Sequence, residues 1–322
     1  MAIVTNTFTR YASKGIRESL SDIIENISPT STPFLSNMTK STSVSNTFFE
    51  WQTDALAAAG ANKHIDGDDV TSFTATTPTA RLGNYTQILR KVGIIANNLN
   101  GAIDAAGRKS EFAYQVAKAG SELRRDLEFN LCGVNAAAAA GNTSTARATA
   151  SLSAFLRTNT SRGTNGANPT VSNGLVNAAA TDGTQRAATE ALLKPVLQSV
   201  WEQGGDPKML LVGPHVKTVI STFAGIAAQR YQASDGPTTI IAAADIYLSD
   251  FGEIAISPSR FSRGRDAYVI DPDLVEVATL RPVQTVDLAV TGDAQKFMIL
   301  QEAGLLVRQE AGLGVLADLS TS

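Results

Sequence analysis

Scarcity is the first information in this sequence. Cysteine occurs once, at Cys132, so no intramolecular disulfide can form and the fold makes no demand on an oxidising compartment. Histidine occurs twice, at His64 and His215. A zinc centre takes three or four such ligands, so carboxylates would have to complete one; no metal site and no cofactor is expected. Long apolar runs are missing as well: a stretch such as IIAAA at 240–244 is far too short to span a bilayer. The opening MAIVTNTFTR has no apolar core of signal-peptide length, so Asn37-Met38-Thr39 has no meaning as a glycosylation acceptor. Neither sign of charge dominates. Lysine and arginine number 27 against 30 acidic residues, a net of −3, which argues against a generally basic nucleic-acid-binding surface and suits one that tolerates nearby DNA without gripping it. G-x-S-x-G, P-loop and H-E-x-x-H patterns are also missing.

The 322 residues, 43% hydrophobic and 18% charged, can build one large domain or two to three smaller ones. Residues 1–46 read as an arm. An amphipathic helix, IRESLSDIIENI (Ile16–Ile27), is followed by ISPTSTPFLSN. Pro29 and Pro33 lack the amide donor, which keeps this stretch extended or turned. Phe34 and Leu35 would then be apolar anchors lying on another copy of the protein. TFFEWQT, 47–53, reads as a strand with Phe49 and Trp51 on one face; YTQILRKVGIIA, 85–96, is a second, with Ile88, Val92 and Ile94 on one face. The weakly patterned residues between them suggest a long protruding hairpin that needs a partner surface.

KSEFAYQVAKAGSELRRDLEFNLCG, 109–133, is the strongest helix. Phe112, Val116, Ala119, Leu123, Leu127 and Leu131 form its apolar stripe, Ser110 its N-cap and Gly133 its end. Lys118–Glu122 and Arg124–Glu128 are expected as i,i+4 pairs on its wet face. Residues 134–188 lose the pattern, and only LSAFL at 152–156 looks ordered. TEALLKPVLQSVWEQGG reads as a helix with Leu192, Leu193, Val196, Leu197, Val200 and Trp201 on one side; Pro195 either kinks it or marks where its regular part begins. KMLLVG, 208–213, is a buried strand and Pro214 opens a helix through Phe223. Strands are expected at 239–248, 253–257, 266–270 and 274–280. QKFMILQEAGLLVRQEAGLGVLADL reads as two strands broken at Gly304, then a tail.

The chemical candidates are thin. GLGVLA at 312–317 has the dinucleotide glycine spacing but not the βαβ context, and reads as a glycine-bearing strand or turn. IDGDDV at 65–70 reads as an Asp-Gly turn at the hairpin tip, where Asp66, Asp68 and Asp69 could meet a neighbouring subunit. The arginines of SRFSRGRD, 259–266, read as solvated or paired across an interface, with contact to DNA phosphates as the alternative. Cys132 reads as an apolar helix residue.

The order of these elements, and the wording of YASKGIRESLSDIIENISPTSTPFLSNM, EWQTDALAAAGANKHIDGDD, RLGNYTQILRK, AGRKSEFAYQVAKAGSELRRDLE, TDGTQRAATEALLKPVLQSVWEQGGDPKMLLVGPHVK and RDAYVIDPDLVEVATLRPVQTVDLAVTGD, resembles the major capsid proteins of tailed bacteriophages, which have the Hong Kong 97-type fold. The resemblance implies an α+β chain divided into an N-terminal arm (1–46), an extended-loop hairpin (47–96) reaching over an adjacent subunit, and a peripheral domain (97–184) with the spine helix 109–133. An axial domain (185–280) and return strands with a tail (281–322) would follow. It further implies a structural protein, not an enzyme, whose hexamers and pentamers form an icosahedral shell around double-stranded DNA without sequence-specific binding. The implied partners are further copies, a separate scaffolding protein (no long helical pro-segment precedes the arm), a portal and a decoration protein; no membrane is involved. The implied location is the virion, assembled in the host cytoplasm. No crosslinking residues carry over. Pro29, Pro33, Phe34, Leu35, Trp51, Asp66, Asp68 and Asp69 are the expected inter-subunit contacts. An encapsulin-like nanocompartment is the alternative; a soluble α/β enzyme is the second, and no polar cluster supports it.

Overall fold

A computed structural model describes residues 28–70, 73–101, 110–223 and 245–322. The expected helix Ile16–Ile27 and the first part of the expected strand 239–248 lie outside these residues.

The elements run as follows. The arm supplies α1 (Pro33–Asn37) and β1 (Lys40–Ser43), followed by β2 (Phe48–Thr53), β3 (Ala80–Tyr85) and β4 (Gln87–Ala96). Then come α2 (Asn97–Gly101), α3 (Glu111–Glu128), α4 (Leu152–Phe155), β5 (Asn159–Ser161), β6 (Thr170–Ser172) and β7 (Leu175–Ala178). The second half contains α5 (Glu190–Glu202), β8 (Met209–Val212), α6 (Pro214–Ile220), β9 (Ile246–Ser249), β10 (Gly252–Pro258) and β11 (Ala267–Ile270). It closes with β12 (Val275–Asp287), β13 (Ala294–Val307) and β14 (Gly314–Leu316).

Among the described residues the strands form three sheets, in the orders β1-β12-β13-β4, β5-β14-β11-β8-β10-β9 and β2-β3-β7-β6. α3 lies against the first sheet. Ser110 caps it, its hydroxyl accepting from the Ala113 N–H at 3.3 Å, and a π-helical turn, Phe129–Gly133, extends it. The helical run stops at Gly133, ahead of the extended Val134, and the position takes glycine because a Cβ there would meet the Phe261 carbonyl oxygen at 2.1 Å. The stripe behaves as its spacing predicts: Ala119, Leu123, Leu127 and Leu131 are buried and join one cluster with Ile299, Leu305 and Val307 of β13. A second cluster sits on the six-stranded sheet, where Leu193, Val196, Leu197 and Val200 of α5 pack with Leu210 and Val212 of β8 and Ile254 of β10. β8 is buried along its whole length, as the run KMLLVG predicts for a central strand.

Several expectations need correction. The partner of β2 is β3, in the register Phe48↔Tyr85 to Thr53↔Ala80, and not the run 85–96. That run is β4, which pairs with β13 in a different sheet. Ile88, Val92 and Ile94 do share a face, but it is the exposed one; Leu89 and Ile95 turn toward the core. Residues 134–188 are more ordered than their composition suggests, since β5 joins the six-stranded sheet and β6 and β7 extend the β2–β3 hairpin. β14 likewise belongs to the six-stranded sheet, away from the other return strands. Gly304 does not break β13. The strand passes through it, and a Cβ would meet Tyr85 O at 2.8 Å and the Phe49 ring at 3.0 Å, so the glycine makes room for a neighbour. Pro195 sits inside α5 without ending it. It lies on the exposed side, where the carbonyl deprived of its donor faces solvent. Trp201 is on the wet side too, 55% exposed, with its ring 5.4 Å from that of Phe251.

Candidate functional site

Residues 54–79 leave the body of the molecule between β2 and β3. All those described are exposed, including the large apolar Leu56, Ile65, Val70 and Phe73. The expected Asp-Gly turn is present: the Asp68 N–H donates to the Ile65 carbonyl at 3.0 Å, and Gly67 adopts φ +81°, where glycine alone is unstrained. Asp66, Asp68 and Asp69 project from this turn into solvent. His64 stands 3.7 Å from the Asp68 carboxylate and 2.7 Å from the Asn62 side-chain oxygen. The structure brings the three aspartates together at one tip, next to apolar side chains that nothing covers.

The arm residues expected as inter-subunit contacts are placed differently. Pro33 is the first residue of α1, a position that suits its fixed φ and missing donor. Phe34, expected to anchor on a neighbour, is 1% exposed and belongs to the same buried cluster as Leu123 and Leu127. Leu35 is half-buried against that cluster. Trp51, expected at an interface, is buried too, with its ring 5.9 Å from Phe49 and 6.0 Å from Phe155. The reason is local. α1 presents its free N–H groups to the spine helix, and the buried Glu128 carboxylate accepts from Phe34 at 3.2 Å and Leu35 at 3.0 Å, with Ser259 Oγ donating at 3.2 Å. Burial, the largest influence, raises the Glu128 carboxyl above its ordinary range, against these hydrogen bonds. Glu128 is therefore no partner of Arg124 on a wet face. Arg124 reaches Thr32 Oγ1 at 2.8 Å and Ser36 Oγ at 3.1 Å, and Arg125 reaches the Pro29 carbonyl at 3.3 Å. The 118–122 pairing gives way as well: Glu122 and Asp126 face Lys91 of β4, at 4.0 and 2.7 Å.

Two of the three arginines of the run 259–266 are engaged within their own chain, while Arg260 is exposed. Arg263 pairs with Asp182 at 2.7 Å and Asp266 at 2.8 Å, and Arg265 pairs with the buried Asp318 at 2.7 Å. Asp318, at φ +61°, also accepts from the Gly163 and Gly183 N–H groups, at 2.9 and 2.8 Å. No spacing signal marked Glu128 or Asp318 in the sequence, because their partners lie 93 and 155 positions away. GLGVLA contains β14, in keeping with the strand reading. Cys132 is buried, its thiol donating to the Glu128 carbonyl at 3.2 Å, and burial pushes it well above the usual thiol range, which leaves it unreactive. Among the described residues no three of His, Cys, Asp and Glu are placed to hold a metal ion. No helix among them is long and apolar enough to cross a membrane.

The geometry is that of a building block: exposed protruding elements around a well-packed body. Comparison with known proteins agrees with this. A model of the SU10 major capsid protein family matches residues 3–320, nearly the whole chain. The chain belongs to that family. It is a major capsid protein. Over 122 residues it is 41% identical to the major capsid protein of Escherichia phage Phieco32, a match spanning 38% of this chain and 34% of that protein's length. In structure it is similar to the capsid asymmetric unit of Cyanophage A-1(L), with a TM-score of 0.65 at 13% identity, covering 98% of this chain and 99% of the other. It also resembles the SrpI encapsulin of Synechococcus elongatus PCC 7942, at a TM-score of 0.53 and 10% identity, covering 96% and 94%. These structural likenesses establish the fold, an α+β chain of the phage-capsid, Hong Kong 97-type class.

Proposed function

We propose that copies of this capsid protein assemble into hexamers and pentamers that close an icosahedral phage head around double-stranded DNA, with no catalytic step. The observation that carries this reading is the projecting hairpin loop, 54–79, exposed throughout its described residues and tipped by apolar and acidic side chains. A loop that buries nothing at home is stable in function only against another surface. Its contact with a neighbour joins two different patches, a heterologous arrangement that builds rings and closed shells. The near-balanced charge suits an inner wall that encloses DNA without reading it. Assembly in the host cytoplasm, with a separate scaffolding protein, a portal and a decoration protein, belongs to the same proposal. So do the inter-subunit roles of Pro29, Leu35, Asp66, Asp68 and Asp69.

Negative-stain electron microscopy of the purified protein tests it. Closed shells are expected, with nucleic-acid absorbance in native particles. A stable monomer at high concentration would overturn the shell. Shells that hold protein cargo and no DNA would favour a nanocompartment, the reading that the encapsulin likeness keeps in view.

A further inference from the structure

β4 is an open edge of its sheet. It pairs with β13 along its length, and no strand among the described residues takes its other side. An edge of ten residues is a template for any passing strand, and natural sheets cover such edges or charge them. Below this edge runs a groove of about 460 Å³, between β4 and α3. Consecutive residues 91–96 line one wall of it. Side chains alternate along a strand, so an unbroken run lines a groove only where the strand's edge, with its free N–H and C=O groups, faces the space. Glu111, Gln115 and Lys118 of α3 form the other wall; Phe297, beside Gly93, and Leu99 are apolar parts of the lining.

The described part of the arm begins next to this groove. Ser28 lies in a second groove that shares Lys118 and Glu122 with the first. Residues 1–27, outside the described residues, lead into it. Their first part, IVTNTFT at Ile3–Thr9, is β-branched or aromatic at every position but Asn6, and it carries no charged side chain. An uncharged strand suits walls whose acids are already held: Glu122 and Asp126 face Lys91, and Glu111 accepts from Gln115 at 2.7 Å. The reach is sufficient. A helix over Ile16–Ile27 spans about 18 Å, and residues 10–15 cover about 20 Å when extended, so the chain can lead away from Ser28 and return to β4.

We propose that Ile3–Thr9 adds to the open edge of β4 in its own subunit, pairing backbone to backbone along residues 91–96, with alternate side chains entering the groove. The arm is already tied to its own spine helix, through Glu128 to Phe34 and Leu35 and through Arg125 to the Pro29 carbonyl. A segment tethered this close outcompetes the same segment of a free copy by its effective concentration. The added strand guards an edge that would otherwise pair between unassembled copies. The inference does not rest on the shell reading, because it concerns the subunit before assembly.

Hydrogen exchange of the full-length, unassembled subunit tests it, read by mass spectrometry on peptides covering 91–96. In the unaltered protein the amides on both sides of β4 should be protected, those facing β13 and those facing the groove. Thr5→Pro with Thr7→Pro removes two donors and bars the segment from a ladder. Exchange of the groove-facing amides should then rise about tenfold, the factor that one lost hydrogen bond allows. Peptides from α3 and β12 should keep their rates, which also shows that the variant folds. Thr5→Val with Thr7→Val, which keeps the branching and the donors, should leave the protection in place. Groove-facing amides that exchange freely in the unaltered protein would overturn the inference. Protection that survives both prolines would overturn it too and point to another occupant. Protection that grows with protein concentration would assign the strand to a second copy and overturn the same-subunit pairing. Protection as expected in a protein that never forms shells would uphold the inference and overturn the shell reading.

Discussion

Glu128 holds Phe34 across 94 positions of sequence. Its carboxylate accepts the Phe34 N–H at 3.2 Å, while the Phe34 ring sits in the core beside Leu123. The arm is thus fastened at this point to its own subunit. Phe34→Ala should lower the stability of the isolated subunit by about 3–5 kcal/mol, the usual range for a buried phenylalanine. Denaturant unfolding of unassembled protein measures it. An unchanged midpoint, with only assembly affected, would return Phe34 to the role of an anchor on a neighbour.

The same carboxylate makes stability depend on pH. Burial raises Glu128 above its ordinary value near 4.5, the Leu35 and Phe34 N–H groups acting the other way. A carboxyl raised on folding contributes stability that is fully present below its unfolded value and is lost as pH climbs through the folded one. Glu128→Gln removes that titration. The advantage of the unaltered protein over Glu128→Gln should therefore shrink as pH rises from about 4 to about 7.5. Parallel denaturant curves at both ends would show it, and a constant difference would mean that Glu128 titrates as it does in the unfolded chain.

Leu123 is 1% exposed at the middle of the spine helix. Leu123→Asp would leave an unpaired charge there at a cost of several kcal/mol, comparable with a domain's whole stability. Insoluble or unfolded protein is expected; soluble protein with the original circular dichroism would show that the stripe faces elsewhere.

Gly304→Ala should cost about 1–3 kcal/mol, because the new methyl meets a backbone oxygen and an aromatic ring that are both fixed by β2, β3 and β13. Thermal unfolding reads the loss. A neutral result would mean that β3 can draw back from β13.

Local periodicity made α3, α5 and β8 legible, since each buries one run or one face that its own residues specify. The hairpin tip was legible for the same reason, as an Asp-Gly turn amid weak patterning. What escaped depends on pairing between distant segments. Ile88, Val92 and Ile94 look like a core face, and only the pairing with β13 and the seat of α3 turn them outward. Phe34-Leu35 looks like a free anchor until a carboxylate far along the chain claims its N–H groups. The arginines at 263 and 265 look like a surface run until Asp182, Asp266 and Asp318 surround them.

β14 lies between β5 and β11, and β5 reaches the six-stranded sheet only through it. An interior place one strand in from the edge of that sheet is thus filled by residues made after all the strands they join. On the ribosome, β5 has no neighbour in this sheet and β11 keeps one open edge until Gly314–Leu316 emerges. Folding of this half is thereby tied to the synthesis of Gly314–Leu316, so a growing chain cannot offer a finished subunit to its neighbours before its own translation has passed that point.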